Sequence, residues 1–311
     1  MNIEIITTQI NTCEAMIDSI QKMGHEVKLS VCVNIQDLDE VVKRVPDLVV
    51  LAQKYISNEN EENIWLSEYF ATNNINYSGS SRETLKYGFD KILAKAHLKE
   101  QGYNTANYFT AIPGEYINDN KIPIRYPLFL KPSGEDNGDG IDDLSLVTTY
   151  AQFESKVQSL YTLYNKPVLV EEYLDGPEFK VSLIQQNNGD LLVSAMEVIP
   201  PKSQNGARIL GSKTQLEKKE ELINSASNDI IARVKNLAVD AFMDLGVRDF
   251  AQIDIKTNKY GHCFFMEANL HPSLKDNSSY LPKACEIEHG LSYDNVIKLI
   301  VDEGISRVAA S

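Results

Sequence analysis

Two short runs near the C-terminal end, Asp249–Ile255 and His262–Asn269, constrain this chain more than any other part of it. The segment between them, Lys256–Gly261, is short and holds Asn258 and Gly261, which reads as a β-hairpin. A turn centred on Tyr260 and Gly261 sets Asp254 opposite Glu267 and Gln252 opposite Asn269. Side chains two apart on a strand share a face. One face of one hairpin therefore presents Asp, Glu, Asn and Gln together. Grouped carboxylates repel each other. A hard cation such as Mg²⁺ removes that cost, takes oxygen ligands and often completes its shell with substrate phosphates. The alternative is a solvated polar face on an edge hairpin.

The totals narrow the setting. A chain of 311 residues has room for two or three structural units with sizeable cores. Hydrophobic residues make up 43% of it, yet no apolar run approaches the length of a membrane span. The start, Met1–Ile6, lacks the basic region and apolar stretch of a signal peptide. Cys13, Cys32, Cys263 and Cys285 are scattered without metal-binding spacing and read as reduced thiols of a cytoplasmic protein. A net charge of −14 argues against a broad nucleic-acid surface. A local basic pocket for an anionic ligand remains compatible with it.

The first 80 or so residues alternate strand and helix. Ile3–Thr7 reads as a strand, Thr12–Met23 as a helix, Glu26–Val33 as a strand, Leu38–Val45 as a helix and Asp47–Ala52 as a buried strand. That order suggests a small parallel α/β domain. A helix around Trp65–Phe70 follows a polar, acidic stretch, Ser57–Asn63. Asp90–Gln101 reads as a helix stopped by Gly102, with Ile92, Leu93 and Ala96 as its apolar stripe. Lys91 and Lys95, four apart, share a face and read most simply as solvated.

Tyr126–Ser133 is a short apolar run that carries Lys131 near its end, and Gly134–Gly140 follows it as a glycine-rich loop. Strand, lysine and flexible loop form a layout that cradles phosphates, the lysine as a point charge and the loop through backbone N–H groups. No glycine loop leads into the lysine from its N-terminal side, so this is not the common phosphate-loop motif. The loop is also acidic, and an ordinary surface turn is the competing reading. Pro167–Leu174, Glu178–Ile184 and Asp190–Val198 read as strands. Pro200–Glu220, polar and rich in lysine, suits a mobile cover. Asn228–Leu245 is an amphipathic helix ended by Gly246, and Tyr293–Asp302 reads as a further helix.

Five segments in this order resemble the ATP-grasp superfamily, and within it the D-alanine–D-alanine ligase branch. They are Asp90–Lys95, Pro127–Ser133, Val170–Glu178, Gln252–Asp254 and Phe265–Pro272. The resemblance runs from about Tyr77 to the end of the chain. It implies an α/β and α+β fold in three parts: an N-terminal parallel α/β domain over 1–85, a central α+β subdomain over 86–174 and a C-terminal α+β domain over 175–311. ATP lies between the latter two. By the same resemblance, Lys95 and Lys131 contact nucleotide phosphates. Glu171, Glu172, Tyr173 and Leu174 sit at the adenine, mostly through backbone groups, and Glu178 holds the ribose. Asp254, Glu267 and Asn269 hold two Mg²⁺ ions, with Mn²⁺ as a substitute. Glu135–Gly140, including Asn137, closes over the phosphates, and Lys213 reaches the γ-phosphate from the mobile cover. Lys131, Gln252, Lys213 and Asn137 are the residues expected around the reacting groups. Relatives are often dimeric through the N-terminal region, which makes a homodimer an expectation here.

Departures from the branch fall where substrate is held. Its N-terminal loop carries a glycine pair, a serine and a glutamate, whereas Thr7–Cys13 has no glycine. Its Arg-x-Asp is Gln252-Ile-Asp254, its serine-rich lid is acidic, and its Asn-x-x-Pro-Gly is Asn269–Ser273. Lys275 and Arg208 are candidates for the missing positive charge, unless both are solvated surface residues. The resemblance therefore implies an ATP- and Mg²⁺-dependent ligase that joins a small carboxylate to an amine through an acyl phosphate, on amino-acid-like substrates other than two D-alanines. An intramolecular cyclisation, a peptide modification and a non-catalytic ATP-binding regulator are the alternatives. Neither a nucleic acid nor a membrane is expected as a partner.

Overall fold

The structure, a computed structural model, describes residues 1–9, 13–57, 62–134, 138–203, 206–224 and 228–310. At the N-terminal end lie β1 (Asn2–Thr7), α1 (Glu14–Lys22), β2 (Glu26–Val31), α2 (Ile35–Lys43) and β3 (Leu48–Leu51). The three strands pair in parallel in the order β2-β1-β3. Parallel pairing needs crossover helices, which cover both faces and leave the inner strands apolar throughout. Accordingly Ile3 and Ile5 pack with Ile20 of α1, while Ile6 packs with Val49, Leu51 and Phe70 on the other face. Asn34 caps α2, its side chain accepting from Asp37 N at 3.0 Å. The small ladder β4 (Tyr55–Ile56) with β5 (Ile64–Trp65) leads to α3 (Leu66–Thr72) and α4 (Arg82–Phe89).

The middle of the chain carries α5 (Lys91–Glu100), β6 (Tyr108–Ala111), β7 (Leu128–Pro132), β8 (Leu146–Val147), α6 (Tyr150–Tyr164) and β9 (Val168–Glu172). Its antiparallel sheet runs β6-β9-β7-β8. Phe153, Val157 and Leu160 of α6 pack on Leu128, Leu130, Val168 and Val170. The third sheet, β12-β11-β10-β13-β14, is antiparallel and uses β10 (Glu178–Gln185), β11 (Leu191–Ile199), β12 (Glu221–Ile223), β13 (Phe250–Thr257) and β14 (Cys263–Asn269). Between its strands lie α7 (Ser212–Leu216) and α8 (Asn228–Asp244), and α9 (Tyr280–His289) and α10 (Tyr293–Ala310) complete the chain. Alternation along β10 and β13 sorts the side chains. Phe179, Val181, Ile253 and Ile255 join Ala94 and Leu98 of α5 and Val234, Ala238 and Phe242 of α8 in one core. The intervening positions face the other way, and several of them floor the main cleft.

Several contacts fasten the N- and C-terminal parts, among them Ser19 and Lys22 to Asp294 and a shared core of Ile3, Ile5, Val296 and Ile300. Gly304 of α10 lies so close to β3 that a β-carbon there would stand 2.9 Å from the Leu48 side chain. Asp249, fully buried, accepts from Gly79 N at 2.6 Å and from Arg307 Nη2 at 3.0 Å. The segment expected as a mobile cover, Pro200–Glu220, instead contains α7, and β12 directly beyond it pairs with β11. All four cysteines are free and buried. No helix among the described residues is long and apolar enough to cross a membrane.

Candidate active site

A cleft of about 900 Å³ lies between the second and third sheets. Its floor is the polar face of the third sheet. The hairpin register sets Asp254 against Glu267 and Gln252 against Asn269. The turn does not produce that register as expected. Thr257 pairs with Cys263 and Ile255 with Phe265, so the loop centres on Tyr260 alone. A β-bulge between Asp254 and Ile255 then shifts the pairing by one residue. Continued without it, the pairing would bring Met266 opposite Asp254. Bulges re-aim side chains in this way next to active sites.

Beside β14, along the edge of the floor, lies α5. Asp90 caps it, accepting from Ile92 N at 3.0 Å and Leu93 N at 2.9 Å. The expected apolar stripe of Ile92, Leu93 and Ala96 is not the buried one: Leu93 is 39% exposed, whereas Lys91, Ala94, Lys95 and Leu98 are buried. Lys91 is therefore not a solvated residue. Its Nζ lies 3.2 Å from Glu267 Oε2. Opposite charge on the facing strands draws a lysine-bearing face inward, which hydrophobic spacing alone does not reveal.

Behind Lys91, two lysines share one carboxylate. Lys95 Nζ lies 2.6 Å from Glu171 Oε1, and Lys131 Nζ lies 2.9 Å from Glu171 Oε2. Lys95 is 0%, Glu171 1% and Lys131 4% exposed. Burial opposes every charge here. For Glu171 it is outweighed by Lys131 and Lys95, and the carboxyl is held below its usual range. For Lys131 it is outweighed by Glu171 and Glu267, and the ammonium is pushed up. For Lys95 burial prevails and the ammonium is pushed down. Two cations on one anion leave this triad one negative charge short, which suits an incoming phosphate. The Glu171 carboxylate thus faces the lysines, which leaves only its backbone groups for the role at the adenine that the resemblance implies.

The segment after Glu171 crosses between the sheets. Glu172 N donates to Asn107 O at 2.9 Å and Tyr173 N to Pro127 O at 3.1 Å. Leu174 is the first residue beyond those bonds. Glu172 turns its carboxylate to Asn107 N, and Tyr173 stacks on Phe129, ring centres 6.5 Å apart. These rings, Ile209, Leu210 and Met266 give this part of the cleft its apolar walls. Glu178 pairs with Lys256 at 2.9 Å. Burial works to raise it, and Lys256 with Lys180 outweighs that and holds it low.

Lys180 was not foreseen as a site residue. Its Nζ stands 2.5 Å from Asp254 Oδ2, while Gln252 Nε2 donates to Asp254 Oδ1 at 3.0 Å. Burial pushes Asp254 up to about 6 despite that lysine. Burial also works to raise Glu267, but Lys91, Lys131 and Lys180 outweigh it and hold Glu267 at about 2. A lysine inside an apolar strand, flanked by Phe179 and Val181, was the available sign.

The cover is stitched together over the cleft. Gly138 O accepts from Ser212 N at 3.0 Å. Gly211 lies so close to the facing loop that a β-carbon would stand 2.3 Å from Ile141 O. Ser212 and Gln215 line the cleft, whereas Lys213 between them is exposed and does not. Asn137, with Glu135 and Asp136, lies outside the described residues. Arg208 lines the cleft but gives its guanidinium to Pro200 O. Lys275 borders a separate hollow with Cys13, His271 and Ser273.

Among the described residues no group of three His, Cys, Asp or Glu is placed to hold a metal. The donors offered to Mg²⁺ are the carboxylate oxygens of Glu267 and Asp254 and the amide oxygen of Asn269. An all-oxygen set short of a full shell fits Mg²⁺, which keeps waters and takes phosphate oxygens. Glu267 and Asn269 are the freer pair, because both Asp254 oxygens already have donors.

Two antiparallel sheets enclosing a lysine-lined cleft over an acidic hairpin define an ATP-grasp enzyme. The model of the D-ala D-ala ligase C-terminus family matches residues 98–302, and the chain belongs to that family. It is an ATP-dependent ligase that forms a carbon–nitrogen bond from a carboxylate and an amine. The chain is 27% identical over 309 residues to the uncharacterized protein y4sG of Sinorhizobium fredii, covering 93% of this chain and 86% of the relative. It is 27% identical over 301 residues to the D-alanine–D-alanine ligase of Aquifex aeolicus, covering 94% of each. The crystal structure of the Bacillus anthracis D-alanine–D-alanine ligase complexed with ATP shares the fold with a TM-score of 0.75, at 21% identity, over 100% of this chain and 99% of that one.

Proposed function

We propose that the chain activates a small carboxylate as an acyl phosphate with Mg²⁺ and ATP, then transfers the acyl group to an amine, on amino-acid-like substrates other than two D-alanines. The observation that carries the reading is the buried triad of Lys95, Glu171 and Lys131, of which Glu171 and Lys131 line the cleft together with Asp254 and Glu267 of the hairpin. In the first step a carboxylate oxygen attacks the γ-phosphorus and ADP leaves. In the second the amine attacks the acyl carbon and loses a proton. The carbon–oxygen bond then breaks, and phosphate departs with the donor's oxygen. Phosphoryl transfer of this kind is mainly positioning and charge neutralisation. Lys131 and Lys95 supply fixed positive charge for the phosphates. Tyr173, Phe129 and Met266 flank the base, and Leu174 offers backbone groups to it. Glu178, which lines the cleft, would hold a ribose hydroxyl. Glu267 and Asn269 would hold Mg²⁺, which when bound neutralises phosphate charge. The stitched cover, Gly138 to Ser212, excludes water from a labile acyl phosphate.

The substrate reading rests on Gln252, which brings no charge to the floor, and on Ser273. Loss of a charged or hydrogen-bonding partner from a fitted pocket changes which substrate is accepted. Incubation with ATP, Mg²⁺ and pools of amino acids, followed by mass spectrometry, tests it. Amide formation from a pool without D-alanine is expected. D-alanyl-D-alanine as the main product would overturn the reading.

A further inference from the structure

Three strands set one row of charge across the floor of the cleft. Lys180 of β10 pairs in register with Asp254 of β13, which pairs with Glu267 of β14. The next row on the same face is Ser182, Gln252 and Asn269. Lys180 thus occupies a place directly beside the carboxylates that would otherwise need a cation. We infer that Lys180 is a built-in cation of this row: it neutralises Asp254 in place of a divalent ion, so the nucleotide-loaded protein takes one metal ion, at Glu267 and Asn269. The inference rests on reading the cleft as an ATP site.

Three observations support it. First, both Asp254 oxygens are already engaged. Lys180 Nζ holds Oδ2 at 2.5 Å and Gln252 Nε2 holds Oδ1 at 3.0 Å. Second, the ammonium has nowhere wet to go. Lys180 is 4% and Asp254 6% exposed. The Tyr280 ring lies 4.8 Å from Nζ, and Tyr280 is itself held by its hydroxyl to Glu220 at 2.6 Å. A metal ion entering at Asp254 would have to break a buried pair and strand the lysine, which is costly in a dry site. Third, the neighbouring donors are held more loosely. Glu267 meets Lys91 at 3.2 Å through one oxygen and keeps 32% of its side chain exposed. Asn269 Oδ1 accepts a long contact from His271 N at 3.3 Å. Lys91, one turn from Lys95 at the start of α5, is as buried as Lys180 but stands 3.2 Å from its carboxylate, against 2.5 Å for Lys180. The floor therefore combines one tightly and one more loosely paired cation.

The test counts ions. The full-length protein is saturated with a non-hydrolysable ATP analogue and titrated with Mn²⁺, free ion being read by electron paramagnetic resonance and analogue binding by calorimetry. One Mn²⁺ per chain is expected for the wild type and for Lys180→Arg, and two for Lys180→Met, in which Asp254 regains a need for a cation. Asp254→Asn is expected to keep the single ion with an affinity within about threefold of wild type, because Asp254 is not a ligand. Loss of a true ligand would weaken the ion by more than about tenfold. Two ions of similar affinity in the wild type, or such a loss in Asp254→Asn, would overturn the inference, and neither result needs Lys180→Met to fold. Failure of the analogue to bind the wild type would remove the ATP reading and this one with it. Binding accompanied by two ions would remove this one alone.

Discussion

Lys131→Met and Glu171→Gln should separate nucleotide binding from folding, because they unbalance the same triad in opposite senses. The methionine keeps the length of the side chain and leaves Lys95 with Glu171 as a one-to-one pair at 2.6 Å. The fold should therefore tolerate it. What is lost is one charge-assisted contact to phosphate, worth about 1.5–3 kcal/mol. At 1.4 kcal/mol per tenfold, ATP should bind roughly 10- to 150-fold more weakly. Glu171→Gln instead leaves two ammonium groups, 0% and 4% exposed, without their anion. Breaking a buried pair in this way costs about 3–5 kcal/mol. The variant should melt far below wild type and recover part of that loss when ATP supplies the negative charge. Calorimetric ATP affinity and thermal unfolding with and without ATP measure both effects. If Lys131→Met bound ATP as tightly as wild type, the triad would be a structural ion cluster and not a phosphate cradle.

Gly211→Ala should loosen the cover, since its β-carbon would meet Ile141 O at 2.3 Å. Overpacking against backbone costs about 1–3 kcal/mol, and a melting temperature unchanged in the nucleotide-bound protein would contradict it. Glu267 carries a carboxyl lowered to about 2 from an ordinary 4.5. Its contribution to stability is therefore complete above 4.5 and lost as pH falls toward 2. Glu267→Gln should flatten that acid limb of the unfolding curve, and an identical limb would count against the assignment. Incubation with D-alanine, ATP and Mg²⁺ should give no useful D-alanyl-D-alanine while ATP still binds, and robust dipeptide formation would contradict that.

The hairpin acids were legible because strand alternation keeps Asp254 with Gln252 and Glu267 with Asn269, and a short turn sets the two pairs on one face. The bulge that completes the match was not, because Cys263, Phe264, Phe265 and Met266 are all apolar and hide the shift in alternation. Lys91 and Lys95 were legible as a pair sharing a face. Which face points inward depends on Glu267 and Glu171, 176 and 76 positions further along the chain. Lys180 was missed for the same reason: its partner Asp254 lies 74 residues away. Long-range charge pairing obeys no local period, so the apolar frame is read more readily than the ion pairs that decide its chemistry. The alternation of strand and helix at the N-terminal end, by contrast, follows from short apolar-patterned segments joined by short connections.

The central claim is that a carboxylate is activated by γ-phosphoryl transfer in this cleft. The direct measurement uses the accepted carboxylate donor labelled with ¹⁸O in both oxygens, together with amine, ATP and Mg²⁺, and analyses the products by mass spectrometry. An acyl phosphate requires ADP and a phosphate carrying one labelled oxygen, in step with amide. Unlabelled phosphate, or AMP bearing the label with pyrophosphate released, would contradict it.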